Sequence, residues 1–262
     1  MFGKIAAQIQ QLKKYQFLFS ELVKRDFKKK YKRTVLGMVW SILSPLMQLA
    51  VMAVVFTKFF GRNTEHYIIY LFSGNLVFSF YKDATNGGMH ALMQNANIIK
   101  KINVPKYLFM ISKEVSSCIN FGLTLIIYFL FVAIDGIPFS FRFFALLYPI
   151  ACLVIFNIGV GFILSAMFVI FKDVQYLYDI FTQLLMYLSA IFYTIDAYSD
   201  KIQMLFYLNP VFTYIDYFRS VVINGAIPGA VHHLLCAGYA LVALFVGMFI
   251  YKKYNYKFMY YI

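Results

Sequence analysis

The sequence predicts an all-α polytopic membrane protein. It has six transmembrane helices, an N-terminal amphipathic interfacial helix and an external re-entrant helical hairpin, in one domain over residues 1–262. Three observations carry this. Apolar residues make up 62% of the chain and charged residues 13%, about half the charged share of a soluble domain. The apolar runs reach the ~20 residues a helical span needs and are too long and uniform for a barrel's ~10-residue alternating segments. The 24 Lys and Arg, which leave a net charge of +13, sit at the ends of those runs. There they act as topology signals and contacts to anionic lipid. That distribution argues against a nucleic-acid partner.

Residues 4–33 open the chain as the interfacial helix. Ile5, Ile9 and Leu12, then Phe19, Leu22, Val23 and Phe27, follow helical spacing, with lysines and Arg25 on other faces. Such a segment lies in the interface rather than crossing it, or packs as an amphipathic helix on a partner, or both. The stretch MFGKIAAQIQQLKKY shows neither an apolar h-region nor a cleavage signal, so no signal peptide is expected. A basic cluster of Arg25, Lys28, Lys29, Lys30, Lys32 and Arg33 then meets an uncharged run. Residues 35–57 form the first expected span, with Pro45 kinking rather than breaking it. The other spans are expected at 67–90, 115–134, 143–171, 174–195 and 232–251. Residues 202–229 are apolar but interrupted by Asn209-Pro210, Asp216, Arg219 and Gly225. They read as the re-entrant hairpin, tolerated at depth only where protein or a wet cavity satisfies the backbone. Asp216 and Arg219, three apart on one helical face, are expected to pair.

Six spans put both termini on one side. That side carries nineteen Lys and Arg and the other five, so both termini are expected in the cytoplasm. Chemistry is sparse. The chain has no G-x-S-x-G, no H-E-x-x-H and no G-x-x-x-x-G-K-[ST]; its only Gly-Lys is Gly3-Lys4. Any ATP use therefore falls to another subunit, with ATP and Mg bound there and no cofactor expected in this chain. Cys118, Cys152 and Cys236 lie inside apolar runs without framework or metal spacing, and His232-His233 reads as interfacial. Lys82, Asp83 and Asp179 are candidate cavity charges, since ionisable groups in spans face a cavity or the bundle interior; each also fits the headgroup level. A share of the aromatic residues, 20% of the chain, is expected to line a pore and to meet the C–H faces of sugars. Residues 95–107, NANIIKKINVPKY, read as an ordinary positive-inside loop or as a plug for a partner. On the second reading Ile98, Ile99 and Ile102 form an apolar stripe, Lys100 and Lys101 point elsewhere, and Pro105 stops the helix.

The run ELVKRDFKKKYKRTVLGMVWSILSPLMQLAVMAVVFTKFF resembles the start of type-2 ABC exporter permeases of the polysaccharide export family: a basic interfacial helix, a Tyr-Lys pair (Tyr31, Lys32), Leu-Gly-x-x-Trp (Leu36, Gly37, Trp40) and a Pro in the first span (Pro45). The stretches LFSGNLVFSFYKDA, NANIIKKINVPKYLFMIS, FKDVQYLYDIFTQLLMYLSAIFYTI and LNPVFTYIDYFRSVVING follow in the family's order. One departure is visible: Asn75-Leu76-Val77-Phe78 stands where the family often has Pro-Trp. The resemblance implies a homodimer enclosing a channel, driven by a cytoplasmic ATPase dimer and carrying a lipid-linked glycan such as O-antigen, capsule or teichoic acid across a bacterial inner membrane. It makes Arg25, Lys28, Lys29, Tyr31 and Lys32 an interfacial collar and Gly37, Trp40 and Pro45 part of the channel-forming span. It makes residues 95–107 the coupling segment, and Asn209, Pro210, Asp216 and Arg219 an external gate. A type-2 ABC permease for a drug or other small amphiphile is the alternative. A secondary transporter would show paired repeats and coupling carboxylates, and a membrane glycosyltransferase a larger soluble face.

Overall fold

The computed structural model describes residues 15–31, 36–60 and 65–261, and every regular element among them is helical. In chain order these are α1 (Gln16–Tyr31), a 3-10 turn (Gly37–Val39) leading into α2 (Trp40–Phe60), α3 (Tyr67–Gln94), α4 (Ala96–Lys101), α5 (Tyr107–Ile134), a 3-10 turn (Phe141–Leu146) leading into α6 (Leu147–Ile170), α7 (Val174–Leu188), α8 (Asp200–Phe206), α9 (Pro210–Val222), α10 (Ala230–Tyr254) and α11 (Phe258–Tyr261). Of the expected segments, residues 4–14, 32–35 and 61–64 lie outside the description, Lys32 among them.

Three helical stretches among the described residues are long and apolar enough to cross a membrane: Tyr107–Ile134, Phe141–Ile170 and Ala230–Tyr254. The helix at the first expected span, α2, is shorter in its apolar part, Trp40–Phe56. Helix α3 is 28 residues long, about 42 Å, but its second half carries Lys82, Asp83, Asn86 and His90. Helix α7 differs from the expected 174–195: it ends at Leu188, giving 15 residues, or about 22 Å.

The bundle is centred on α3, α6 and α10. Helices α6 and α10 meet backbone to backbone. A Cβ at Gly159 would lie 2.3 Å from the Ala243 carbonyl carbon, and one at Gly247 2.2 Å from the Gly159 oxygen. Gly88 of α3 approaches Gly161 of α6 in the same way, its Cβ position 3.1 Å from the Gly161 Cα. Small residues allow such approach where no water drives helices together. A large core binds α3, α5, α6, α9 and α10 through Phe72, Tyr128, Leu153, Tyr214, Phe218 and Cys236. A second core gathers Leu22 of α1, Ile99 of α4, Phe109 of α5, Val169 of α6, Tyr251 of α10 and Phe258 of α11. It places α1, α4 and α11 at one end of the bundle, with the lysines of α1 and α4 and the Lys257 that precedes α11.

Candidate functional site

A cavity of about 720 Å³ opens between α2, α3 and α5. Its lining follows from helical spacing. Ser41, Ser44 and Gln48 are at i, i+3, i+7 on α2; Asn75, Ser79 and Lys82 at i, i+4, i+7 on α3; Ser117, Asn120 and Thr124 at i, i+3, i+7 on α5. Three polar stripes, each one face of an apolar helix, thus converge on one space. Trp40, Pro45, Phe78, Phe80 and Phe121 supply its apolar surface. Two of the three candidate charges, Lys82 and Asp83, line it. Asp179 is exposed on α7, which buries only the stripe Val174, Tyr178, Thr182, Leu185, and it is absent from the lining. Trp40 and Pro45 of the predicted span line the cavity, whereas Gly37 supplies the left-handed turn (φ 52°) ahead of α2. None of the stripe residues on α2 and α5 was singled out in the sequence; their three-and-four spacing within apolar runs was the available signal.

At the basic end, α1 is fixed by a buried carboxylate. Asp26 accepts from Arg25 Nη2 at 2.8 Å and pairs with Lys113 Nζ of α5 at 3.2 Å. Lys28 is exposed, and Lys29 and Tyr31 occupy the last turn of α1. The stripe expected on residues 98–102 does not exist as one surface. Helix α4 ends at Lys101, and Ile102 is already extended (φ −130°, ψ 130°). Ile99 is 5% exposed within the second core, Ile98 packs against that core, and Ile102 is 51% exposed. The outward ridge is therefore Asn97, Lys100, Lys101, Ile102 and Asn103, with Pro105 half-buried where the chain turns into α5. Behind it, Lys106 donates to the Asn255 carbonyl at 3.1 Å, and burial lowers its ammonium below the usual lysine range.

The opposite end is organised by the loss of helix after Leu188. Freed carbonyls at membrane depth need partners, and side chains from α3 and α9 provide them. Asn209 Nδ2 donates to the Leu188 carbonyl (3.2 Å) and to Ser189 Oγ (2.9 Å), while its Oδ1 caps α9 by accepting from the Val211 and Phe212 amides. Pro210 takes the first helical position, where no N–H is required. Arg219, 6% exposed, donates to the carbonyls of Ala190 (3.0 Å), Tyr70 (3.2 Å) and Ile191 (3.3 Å). Its guanidinium lies 3.4 Å from the Tyr70 ring centroid. Tyr67 and Tyr70 donate to the Phe192 and Tyr193 carbonyls. Ala190 adopts φ 46° at the break.

The expected Asp216–Arg219 pair is thereby corrected. Arg219 turns inward to backbone carbonyls, and Asp216 turns to Tyr207 Oη (3.0 Å) and His232 Nε2 (3.4 Å). Burial and then the Asp216 carboxylate raise the Tyr207 phenol. The two adjacent histidines part company: His233 meets Tyr217 Oη at 2.8 Å.

A helical bundle with three stretches long and apolar enough to cross a membrane, a cavity between its helices and a basic helix at one end defines an integral membrane protein. Its family is specific: residues 17–223 match the ABC-2 type transporter family, and the chain belongs to it. It is similar to the O-antigen export system permease protein RfbA of Myxococcus xanthus, 23% identical over 94% of this chain and 95% of that protein. The RfbA protein of Klebsiella pneumoniae is 25% identical over 92% and 95%. The polysialic acid transport protein KpsM of Escherichia coli is 22% identical over 87% and 90%.

Proposed function

We propose that this chain is the membrane-spanning permease of an ATP-driven exporter of a lipid-linked polysaccharide (O-antigen, capsule or teichoic acid) across the cytoplasmic membrane of a bacterium. The convergence of three hydroxyl- and amide-bearing stripes on one cavity carries the reading. A glycan leaving water must exchange its hydrogen bonds, and unpaired polar groups in an apolar medium cost several kcal/mol each, roughly 2–7. Ser, Thr, Asn and Gln replace most of those bonds with neutral partners, and Lys82 and Asp83 add one charge of each sign to the wall. Trp40, Phe78 and Phe121 present flat surfaces to the C–H faces of sugars. The relatives' names agree with the glycan.

In this reading six segments cross the membrane, α2, α3, α5, α6, α7 continued by residues 189–195, and α10, with α8–α9 as the external hairpin and both termini inside. Polar residues in α3 are tolerated because they line the cavity. The chain acts as a homodimer with a dimeric cytoplasmic ATPase, which binds ATP and Mg, because it has no phosphate-cradling loop of its own. The ridge Lys100–Asn103 meets that ATPase. The test is reconstitution of the permease with its ATPase in proteoliposomes loaded with lipid-linked glycan, scored by accessibility of the glycan to an added glycosidase. ATP-dependent appearance is expected; transport of amphiphilic dyes but not of glycan would replace this reading with the drug exporter. Single cysteines at Asn103 and Gly136 should label from inside and outside respectively.

A further inference from the structure

A second cleft, about 460 Å³, lies at the basic end of the bundle, away from the polar cavity. One wall is the end of α6: Ala166, Met167, Ile170 and Phe171. The other is the chain after α10: Tyr254, Lys257 and Tyr261. This second wall is held in place by Phe258, which is fully buried against Tyr251, and by the Lys106 bond to the Asn255 carbonyl. The cleft is thus a folded feature built from two separate parts of the chain.

Its chemistry is divided between its two walls. The α6 wall is wholly apolar, and Met167 and Phe171 are left exposed. The other wall carries the half-buried Lys257, 5.7 Å from the centroid of the Tyr254 ring. Lys252 and Lys253 are exposed on the last turn of α10, and Lys172 follows α6, over the Phe168 ring. A basic mouth on an apolar slot at the end of membrane helices complements a molecule with an anionic head and a hydrocarbon tail. The volume falls within the roughly 300–1,000 Å³ of small-molecule sites.

We propose that this cleft binds an anionic phospholipid, one acyl chain lying along Met167, Ile170 and Phe171 and the phosphate held by Lys257, with Lys253, whose ammonium lies 5.9 Å from the same Tyr254 ring centroid, beside it. A zwitterionic lipid offers the same tail, but its own cation opposes the lysines, so the site selects by charge. A polypeptide seated here would need no acyl chain and would ignore the lipid class. The assignment depends on the bundle's basic end lying at a membrane surface, not on which substrate the polar cavity passes.

The experiment is native mass spectrometry of the detergent-purified full chain. It is titrated with phosphatidylglycerol, with phosphatidylcholine of the same acyl chains, and with inorganic phosphate. One tightly held phosphatidylglycerol per chain is expected, bound well ahead of phosphatidylcholine, and no retained phosphate. Lys257→Gln with Lys253→Gln should weaken phosphatidylglycerol by about fivefold per lysine and leave phosphatidylcholine unchanged. Phe171→Asp, at an exposed position, should weaken both lipids. Lys201→Gln, which removes an exposed charge on α8 away from the cleft, should change neither. Equal retention of the two lipids, phosphate held as tightly as phosphatidylglycerol, or an equal loss in Lys201→Gln would each overturn the site. Glycan export by the reconstituted complex is a separate readout, so the two readings fail independently.

Discussion

Replacing Arg219 by Met removes the guanidinium but keeps most of the side chain's bulk. The consequences are unequal across its partners. Tyr70 lies within α3, so its carbonyl keeps the helical bond and the Ser73 hydroxyl. The Ala190 carbonyl retains only a 3.3 Å contact from Tyr70 Oη. The Ile191 carbonyl loses its side-chain donor outright. One orphaned buried carbonyl costs about 1–3 kcal/mol, and a desolvated cation–π contact about 2 kcal/mol. Relief of the guanidinium's own desolvation offsets part of this. The net expectation is a loss of about 2–3 kcal/mol, read as a melting temperature lowered by roughly 5–10 °C for a chain of this size. The assay is thermal unfolding in detergent, followed by thiol reactivity of the buried Cys152 and Cys236. Arg219→Lys should fall between, because an ammonium can still donate to some of the three carbonyls but has no plane to stack on Tyr70. Asp216→Asn combined with Arg219→Met should depart from additivity by less than about 1 kcal/mol, since the two side chains share no hydrogen bond or ion pair and act on each other only through space. A melting temperature within about 2 °C of wild type for Arg219→Met would refute this account of the break. Coupling above about 1 kcal/mol would restore the pair read from their spacing.

Filling the polar cavity by Ser44→Phe or Asn120→Phe should cut export by at least about tenfold, which needs only 1.4 kcal/mol, with the ATPase still co-purifying. Loss of the ATPase would point to misfolding instead. Because Trp40 is the chain's single tryptophan and lines the cavity, its fluorescence should shift on adding lipid-linked glycan to wild-type protein and not to Asn120→Phe. Ile99→Asp should destabilise the fold by about 3 kcal/mol or more as a buried charge, whereas Ile102→Asp should preserve the melting temperature and release the ATPase; the reverse ranking would show that α4 turns its other face outward. Gly74→Ala should lower the melting temperature, because its Cβ would lie 2.9 Å from Arg219 Nη2 and 3.2 Å from Ile191. An unchanged melting temperature there would mean that Arg219 is free to move.

The long apolar runs made the helices legible, because hydrocarbon permits few alternatives to a closed hydrogen-bond ladder. Asn209-Pro210 was legible for a local reason: the missing N–H suits only the first turn of a helix. The cavity was harder. Serines and threonines in these helices also bond backward to their own chain: Ser73 to the Tyr70 carbonyl, Ser112 to that of Phe109 and Thr124 to that of Asn120. A hydroxyl in an apolar run therefore carries no mark that tells a cavity wall from a self-satisfied turn. Ile98, Ile99 and Ile102 were misread as one stripe because helical spacing was carried one residue past the end of α4. Arg219 was misread because spacing favours a neighbour three residues away, while one of its acceptors, Tyr70, is 149 positions distant.

The contact between α6 and α10 has a bearing on how such a subunit works. At Gly159, Ala243 and Gly247 main chain touches main chain, and no side chain intervenes to change rotamer and let one helix slip past the other. Sliding or rolling would drive peptide groups into each other. The pair is therefore a fixed mast. Whatever motion the transport cycle demands falls to parts held by side chains alone: α7 on its single stripe, α2 beyond its left-handed turn at Gly37 and packed on α3 and α5, and α1 on Leu22 and the Asp26–Lys113 pair to α5.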